Sequence, residues 1–204
     1  MKLALKSSRS RAAFGPLTIT ALLLVSACRT LTPVSAPSWP QRAAQLRAIQ
    51  QFEFSGRIAT VMGDKGVSAT LNWRQQAGNS TLLLRAPFGL SALNIDYHDQ
   101  QLRITSDDGQ RVEGAAAEHM LTDLLGFSLP LNSIHYWLLG CSDPGSVADE
   151  SLDDRQRLAQ LRQDGWQIDY LNYQSVGKQW FPQRLNMERA GRKLKLVVER
   201  WQLP

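Results

Sequence analysis

The chain has 204 residues, 43% of them apolar, and a formal net charge of +5. The length suits one domain with its own core, and the composition is that of an ordinary globular protein. Lys2, Lys6, Arg9 and Arg11 supply four of the five net charges, so residues 28–204 carry about +1, which argues against nucleic acid as the main partner.

Residues 1–27 have the layout of a secretory leader: a basic stretch to Arg11, then an apolar segment centred on Leu17–Val25 that is too short to span a bilayer. It ends in Val25-Ser26-Ala27-Cys28, which resembles the bacterial lipobox, where small residues precede a cysteine that becomes the acylated first residue. The expected modification is a covalent N-acyl and S-diacylglycerol lipid on Cys28, with no other cofactor. Arg29 follows in place of the Asp that favours inner-membrane retention, which implies the outer membrane. With Cys28 acylated, Cys141 has no disulfide partner and reads as a buried structural thiol. Residues 28–38, rich in Thr, Ser and Pro, read as a solvated tether to a single periplasmic domain at 39–204.

Ser38 caps a predicted helix with Pro40 in its first turn and Ala43, Leu46 and Ile49 on one stripe. The period then changes to two. Phe54, Gly56, Ile58, Thr60 and Met62 share a face. Val67, Ala69, Leu71 and Trp73 alternate with polar residues. Strands follow at 81–85, at 93–97 and around Leu102 and Ile104, with turns at Gly63-Asp64, Gly78-Asn79 and Asp107-Asp108-Gly109. Helices are predicted at Ala115–Leu125, ended by Gly126, and at Pro130–Leu139, with Gly140 after it. Residues 141–151 read as a loop. Strands return at 158–163 and 166–174, joined by the hairpin signal Asp164-Gly165, and at 183–189 and 193–202.

Ten or eleven short, mostly consecutive strands imply a large, curled antiparallel sheet closed by the mid-chain helices: mainly β with a few helices. Such a shape can enclose a ligand cavity, but a filled core gives the same alternation and is the reading that the pattern alone favours.

No nucleotide-binding, metalloprotease or nucleophile-elbow motif is present. His98, His119 and His135 are scattered, and the adjacent Asp107-Asp108 and Asp153-Asp154 suit turns better than a paired-carboxylate site. The chain reads as a non-enzyme, with a hydrolase, a scaffold lipoprotein and a different hydrophobic-ligand carrier that senses lipid state as the rival readings. One loop stands out. Pro87 and Gly89 frame Phe88, with Leu90 beside it. An apolar tip there either folds under the sheet or serves as a small membrane-inserting wedge.

The ordered set Phe52 to Ala59, Leu71-Asn72-Trp73-Arg74-Gln75, Ala86-Pro87-Phe88-Gly89, Leu129-Pro130-Leu131, Tyr136 to Gly140, Gly165-Trp166 and Lys193–Trp201 resembles the LolB family of outer-membrane lipoprotein receptors. The resemblance implies an open eleven-stranded antiparallel half-barrel, with helices covering an apolar cavity. It implies a monomer that takes lipoproteins from a LolA-type periplasmic carrier, holds their acyl chains and inserts them into outer-membrane lipid. The family carries a bulky apolar residue at the loop tip, so Pro87, Phe88, Gly89 and Leu90 become the candidate insertion loop. Candidate cavity residues are Leu71, Trp73, Leu93, Ile95, Ile104, Met120, Leu124, Trp137, Leu138, Trp166, Ile168, Tyr170, Leu185 and Met187.

Overall fold

The computed structural model describes residues 37–62, 65–87 and 91–204. The leader, Cys28, most of the tether, the Gly63-Asp64 turn, Phe88, Gly89 and Leu90 lie outside them. Helix α1 (Trp39–Arg47) starts where Ser38 predicts, and the Ser38 backbone N–H donates to Gln41 Oε1 at 3.1 Å. Ala43 and Leu46 are buried, whereas Ile49 lies beyond the helix end.

The strands that follow are β1 (Gln51–Met62), β2 (Lys65–Gln76), β3 (Asn79–Arg85), β4 (Ala92–His98), β5 (Gln101–Ser106) and the three-residue β6 (Arg111–Glu113). Helices α2 (Ala115–Leu125) and α3 (Leu131–Leu139) come next. Both end on the predicted glycines, Gly126 and Gly140, in the left-handed conformation. The chain finishes with β7 (Ala148–Leu152), β8 (Leu158–Gln163), β9 (Trp166–Val176), β10 (Gln179–Arg189) and β11 (Arg192–Gln202).

All eleven strands form one antiparallel sheet in the order β6-β5-β4-β3-β2-β1-β11-β10-β9-β8-β7. The first and last strands meet at its centre, and β6 and β7 are its free edges. Helices α2 and α3 connect those edges across the apolar face. The result is an open half-barrel with the helices inside its curve.

Three elements correct the reading from sequence. Arg111–Glu113, between the Asp107-Asp108-Gly109 turn and the first mid-chain helix, carries no strand in that reading and is the short edge strand β6. Ala148–Leu152, taken as loop, is the edge strand β7; its Ala-Asp-Glu-Ser-Leu sequence is charged, as exposed edges often are, and gives no clean alternation. Strand β10 begins at Gln179 rather than 183 and runs through Pro182, which a bulge between Pro182 and Arg184 accommodates.

An aromatic chain ties the central strands together. Phe54 stacks on Trp73 with centroids 6.0 Å apart and tilts against Trp201 at 5.1 Å. Trp201 also meets Phe52 at 5.5 Å and Phe181 at 5.3 Å. Each such pair contributes about 0.5–1.5 kcal/mol beyond its burial. The Trp201 indole N–H donates to the Pro182 carbonyl at 2.9 Å, so the bulged segment keeps a partner.

The β1–β11 register shifts at Ser55/Gly56, and a Cβ on Gly56 would overlap the Val197 carbonyl oxygen. Gly56→Ala is expected to lower stability by about 1–3 kcal/mol through overpacking, read as the urea midpoint. Gly66→Ala, with nothing within 4 Å of its added methyl, should change it by no more than about 0.5 kcal/mol.

Candidate functional site

The concave face of the sheet and the inner faces of α2 and α3 enclose an entirely apolar cavity of about 30 Å³. Leu71 and Trp73 of β2, Leu82 and Leu84 of β3 and Ile95 of β4 line one side. Met187 of β10 and Leu194 and Leu196 of β11 line the other. Leu121, Leu125, Ile134 and Leu138 of the helices cover it. A second hollow of about 190 Å³ opens next to it, lined by Val67, Ala69, Ala86, Ser91, Leu93 and Leu124. Ile58, Leu84 and Leu125 border both spaces, so the second is the mouth of the first. The mouth lies at the end of the sheet where the 85–92 connection joins β3 to β4.

The two helices are held differently. The Trp137 indole N–H of α3 donates to Gln163 Oε1 at 2.8 Å, and the Tyr170 hydroxyl donates to the Trp137 carbonyl at 2.9 Å. Gln163 Nε2 in turn donates to the Asp143 carbonyl at 2.7 Å. These buried bonds fix α3 against β8 and β9, because breaking one strands a polar group away from water. Helix α2 buries Ala117, Leu121 and Leu125. Among the described residues, none of its side chains makes a hydrogen bond to the sheet. Its side chains meet the sheet through apolar contact, and its N-cap Gly114 N–H donates to the Leu102 carbonyl of β5 at 2.8 Å.

Of the candidate cavity residues, Leu71, Trp73, Ile95, Leu138 and Met187 surround the inner space, and Leu93 and Leu124 line the mouth. Ile104, Trp137, Trp166, Ile168, Tyr170 and Leu185 are buried core residues that do not border either space. Met120 is 37% exposed on the outer side of α2. In the run Met120-Leu121…Leu124-Leu125, it is Leu121 and Leu125 that are buried and border the inner space. Apolar character alone did not distinguish the two neighbouring pairs. Pro87 is exposed.

The groups considered for catalysis sit apart. His98 is exposed beside Asp99, His119 is exposed on α2, and burial lowers the pKa of His135. Asp107 accepts from the Ala92 N–H at 3.2 Å, and Asp153 from the Arg155 and Arg157 N–H groups at 2.9 Å, as turn residues do. A groove of mixed lining on the convex face, bordered by Ser55, Asn72, Thr81 and Leu83, is crossed by the exposed Arg74–Glu53 pair at 2.8 Å. Among the described residues no group of three His, Cys, Asp or Glu could hold a metal ion, and no helix is long and apolar enough to cross a membrane.

A family model described as outer membrane lipoprotein LolB matches residues 50–201. The chain belongs to the LolB family. Relatives named outer-membrane lipoprotein LolB include one from Yersinia enterocolitica, 33% identical over 89% of this chain and 92% of its own length. Another, from Nitrosococcus oceani, is 31% identical over 91% and 95%. Among solved structures, a LolA superfamily protein from Nitrosomonas europaea superposes with a TM-score of 0.53 at 15% identity, over 84% of this chain and 94% of the other. A DUF1329 family protein from Desulfovibrio piger superposes with a TM-score of 0.51 at 6% identity, over 81% and 90%. The LolB family thus shares its open half-barrel with proteins of very different sequence.

Cys141 is fully buried, and burial pushes its thiol up from 9.0 to about 12. Between those values the unfolded chain gives up the thiol proton and the folded chain retains it. The resulting stability is intact below pH 9 and is lost as pH rises toward 12, by about 1.4 kcal/mol per pH unit. Urea unfolding is expected to show a decline above pH 9 that Cys141→Ala reduces, and a thiol reagent should label Cys141 only on unfolding.

Proposed function

We propose that this LolB-family chain is a non-catalytic outer-membrane lipoprotein, acylated on Cys28. On this reading it accepts lipoproteins from a LolA-type periplasmic carrier and inserts them into the outer membrane. The observation that carries the reading is the pair of joined apolar spaces closed on one side by a helix whose side chains meet the sheet through apolar contact.

An inner space of about 30 Å³ admits little more than two water-sized groups. The mouth, about 190 Å³, is also smaller than the roughly 300–1,000 Å³ of an ordinary ligand pocket. Acyl chains therefore enter by displacing α2 from the sheet, and their methylenes replace the contacts that Leu121 and Leu125 give up. Because apolar contact is non-directional, the exchange leaves no polar group unsatisfied. Transfer then needs no nucleotide, since each tenfold difference in affinity supplies about 1.4 kcal/mol of direction.

Delivery is assigned to the loop bearing Phe88, whose burial in lipid contributes roughly 1.5–3 kcal/mol. That suffices to orient a tethered domain, whereas the acyl chains on Cys28 anchor it. A monomer suits both exposed edges. Arg111 and Glu113 form an ion pair on β6, and Asp149 and Glu150 charge β7, which discourages edge-to-edge pairing.

The decisive assay incubates the protein with carrier loaded with a triacylated lipoprotein, without ATP, and asks by pull-down which protein then holds the cargo. Cargo is expected on this chain; cargo left on a functional carrier would sink the reading. Leu84→Trp, which fills the junction of the two spaces, should cut acceptance about tenfold or more while the chain still unfolds cooperatively. Phe88→Glu should accept cargo normally and insert it into vesicles slowly; insertion at the normal rate would remove the wedge role from Phe88.

A further inference from the structure

The end of the sheet away from the cavity mouth carries a second feature. The β7–β8 turn and the β9–β10 turn lie there, beside α1. Trp180, just after the second turn, is 37% exposed. Two guanidinium groups flank its ring, Arg155 at 5.7 Å and Arg157 at 5.4 Å from the centroid. Arg42 of α1 donates through Nη2 to the Trp180 carbonyl at 2.6 Å, and its Nε is buried without a hydrogen-bond partner. Lys178 is exposed in the β9–β10 turn.

Three carboxylates lie near. Asp153 pairs with Arg157 at 2.6 Å, Asp154 is exposed in the same turn, and Glu150 accepts the Trp39 indole N–H at 2.6 Å. Arg42, Arg155 and Lys178 have no carboxylate within ion-pair distance among the described residues. Beside them an open groove is lined in part by Ile49, Val176, Leu203 and Pro204. An exposed indole among uncompensated cations, next to an apolar groove, has the chemistry of a membrane–water interface. Amphipathic rings settle at headgroup level, and basic side chains are drawn to anionic lipid.

The route of the chain indicates which membrane. Helix α1 begins at Trp39 on this side of the domain, with its indole on β7. Only nine residues lie between Cys28 and Ser38, so the span has a reach of at most about 36 Å. We propose that Trp180, with Arg42, Arg155 and Lys178, docks this end of the domain onto the anionic phospholipid headgroups of the membrane that holds its lipid anchor. The proposal rests on the reading of the chain as lipid-anchored through Cys28. It has a geometric consequence. Strand β1 has twelve residues and spans about 40 Å, so a domain seated on Trp180 holds its cavity mouth away from the bilayer, toward an arriving carrier. Delivery then requires this contact to release.

The test uses the mature acylated protein in vesicles of phosphatidylethanolamine, with or without phosphatidylglycerol, containing phospholipids brominated close to the headgroup. Tryptophan quenching is compared between the parent protein and Trp180→Phe, so that the difference reports Trp180 alone. That difference is expected to be large in anionic vesicles. Salt should abolish it, and Arg155→Glu with Lys178→Glu should lower the docked-to-undocked ratio about tenfold or more. Protein that floats with anionic vesicles yet shows no Trp180 quenching would overturn the docking proposal and leave the receptor reading intact. Protein that does not float with vesicles would overturn the anchoring, and the docking with it. Cargo transfer from the carrier, measured in parallel, reports on the receptor reading separately.

Discussion

Strand β1 pairs with β11 at the centre of the sheet, from Glu53↔Gln202 to Thr60↔Leu194. The two halves of the chain are therefore joined back to back, and the last strands of the first half and the first of the second become free edges. A connection between those edges must cross the sheet, and the α2–α3 segment does so on the face where Leu71, Ile95, Met187 and Leu196 project. The cavity, its lid and its mouth all follow from that pairing. It depends on Gly56, because only a residue without a side chain lets β1 approach Val197 at the bulge.

Within this frame the two helices divide the work by the kind of bond that holds them. Around Trp137, Gln163 and Tyr170 the hydrogen bonds are buried and directional, and moving α3 would leave them unmade. Around Leu121 and Leu125 the contacts are apolar and interchangeable with the methylenes of a guest. A cavity nearly closed when empty avoids exposing a large apolar surface to water.

Charge is distributed with the same economy. Residues 28–204 carry little net charge, yet Arg42, Arg155 and Lys178 gather around Trp180 at the end where α1 starts. The end that carries the mouth is instead bordered by Val67, Ala86 and Leu93. Exposed Arg189 and Arg192 lie at that end as well, so what sets the far end apart is the exposed indole of Trp180 among its cations rather than basic charge alone.

The amino-acid sequence by itself determined much of this. The alternation Val67-Ala69-Leu71-Trp73, the glycines that stop α2 and α3 and the Asp164-Gly165 hairpin are local signals. Each depends only on neighbours in the chain, so strands, turns and helix ends were legible, as was the family from the order of its motifs. Strand β7 escaped because a short charged edge carries no alternation. Which apolar residues border the cavity was decided only by the tertiary structure. Leu121 and Leu125 do, whereas Trp137 and Ile168 are spent on packing and Met120 faces outward. The grouping of Trp180 with arginines from α1 and the β7–β8 turn, more than 20 residues away along the chain, also appears only after folding. The physical reason is the same in both cases: hydrophobicity and charge are properties of a residue, but what it faces is set by the register of strands far away in sequence.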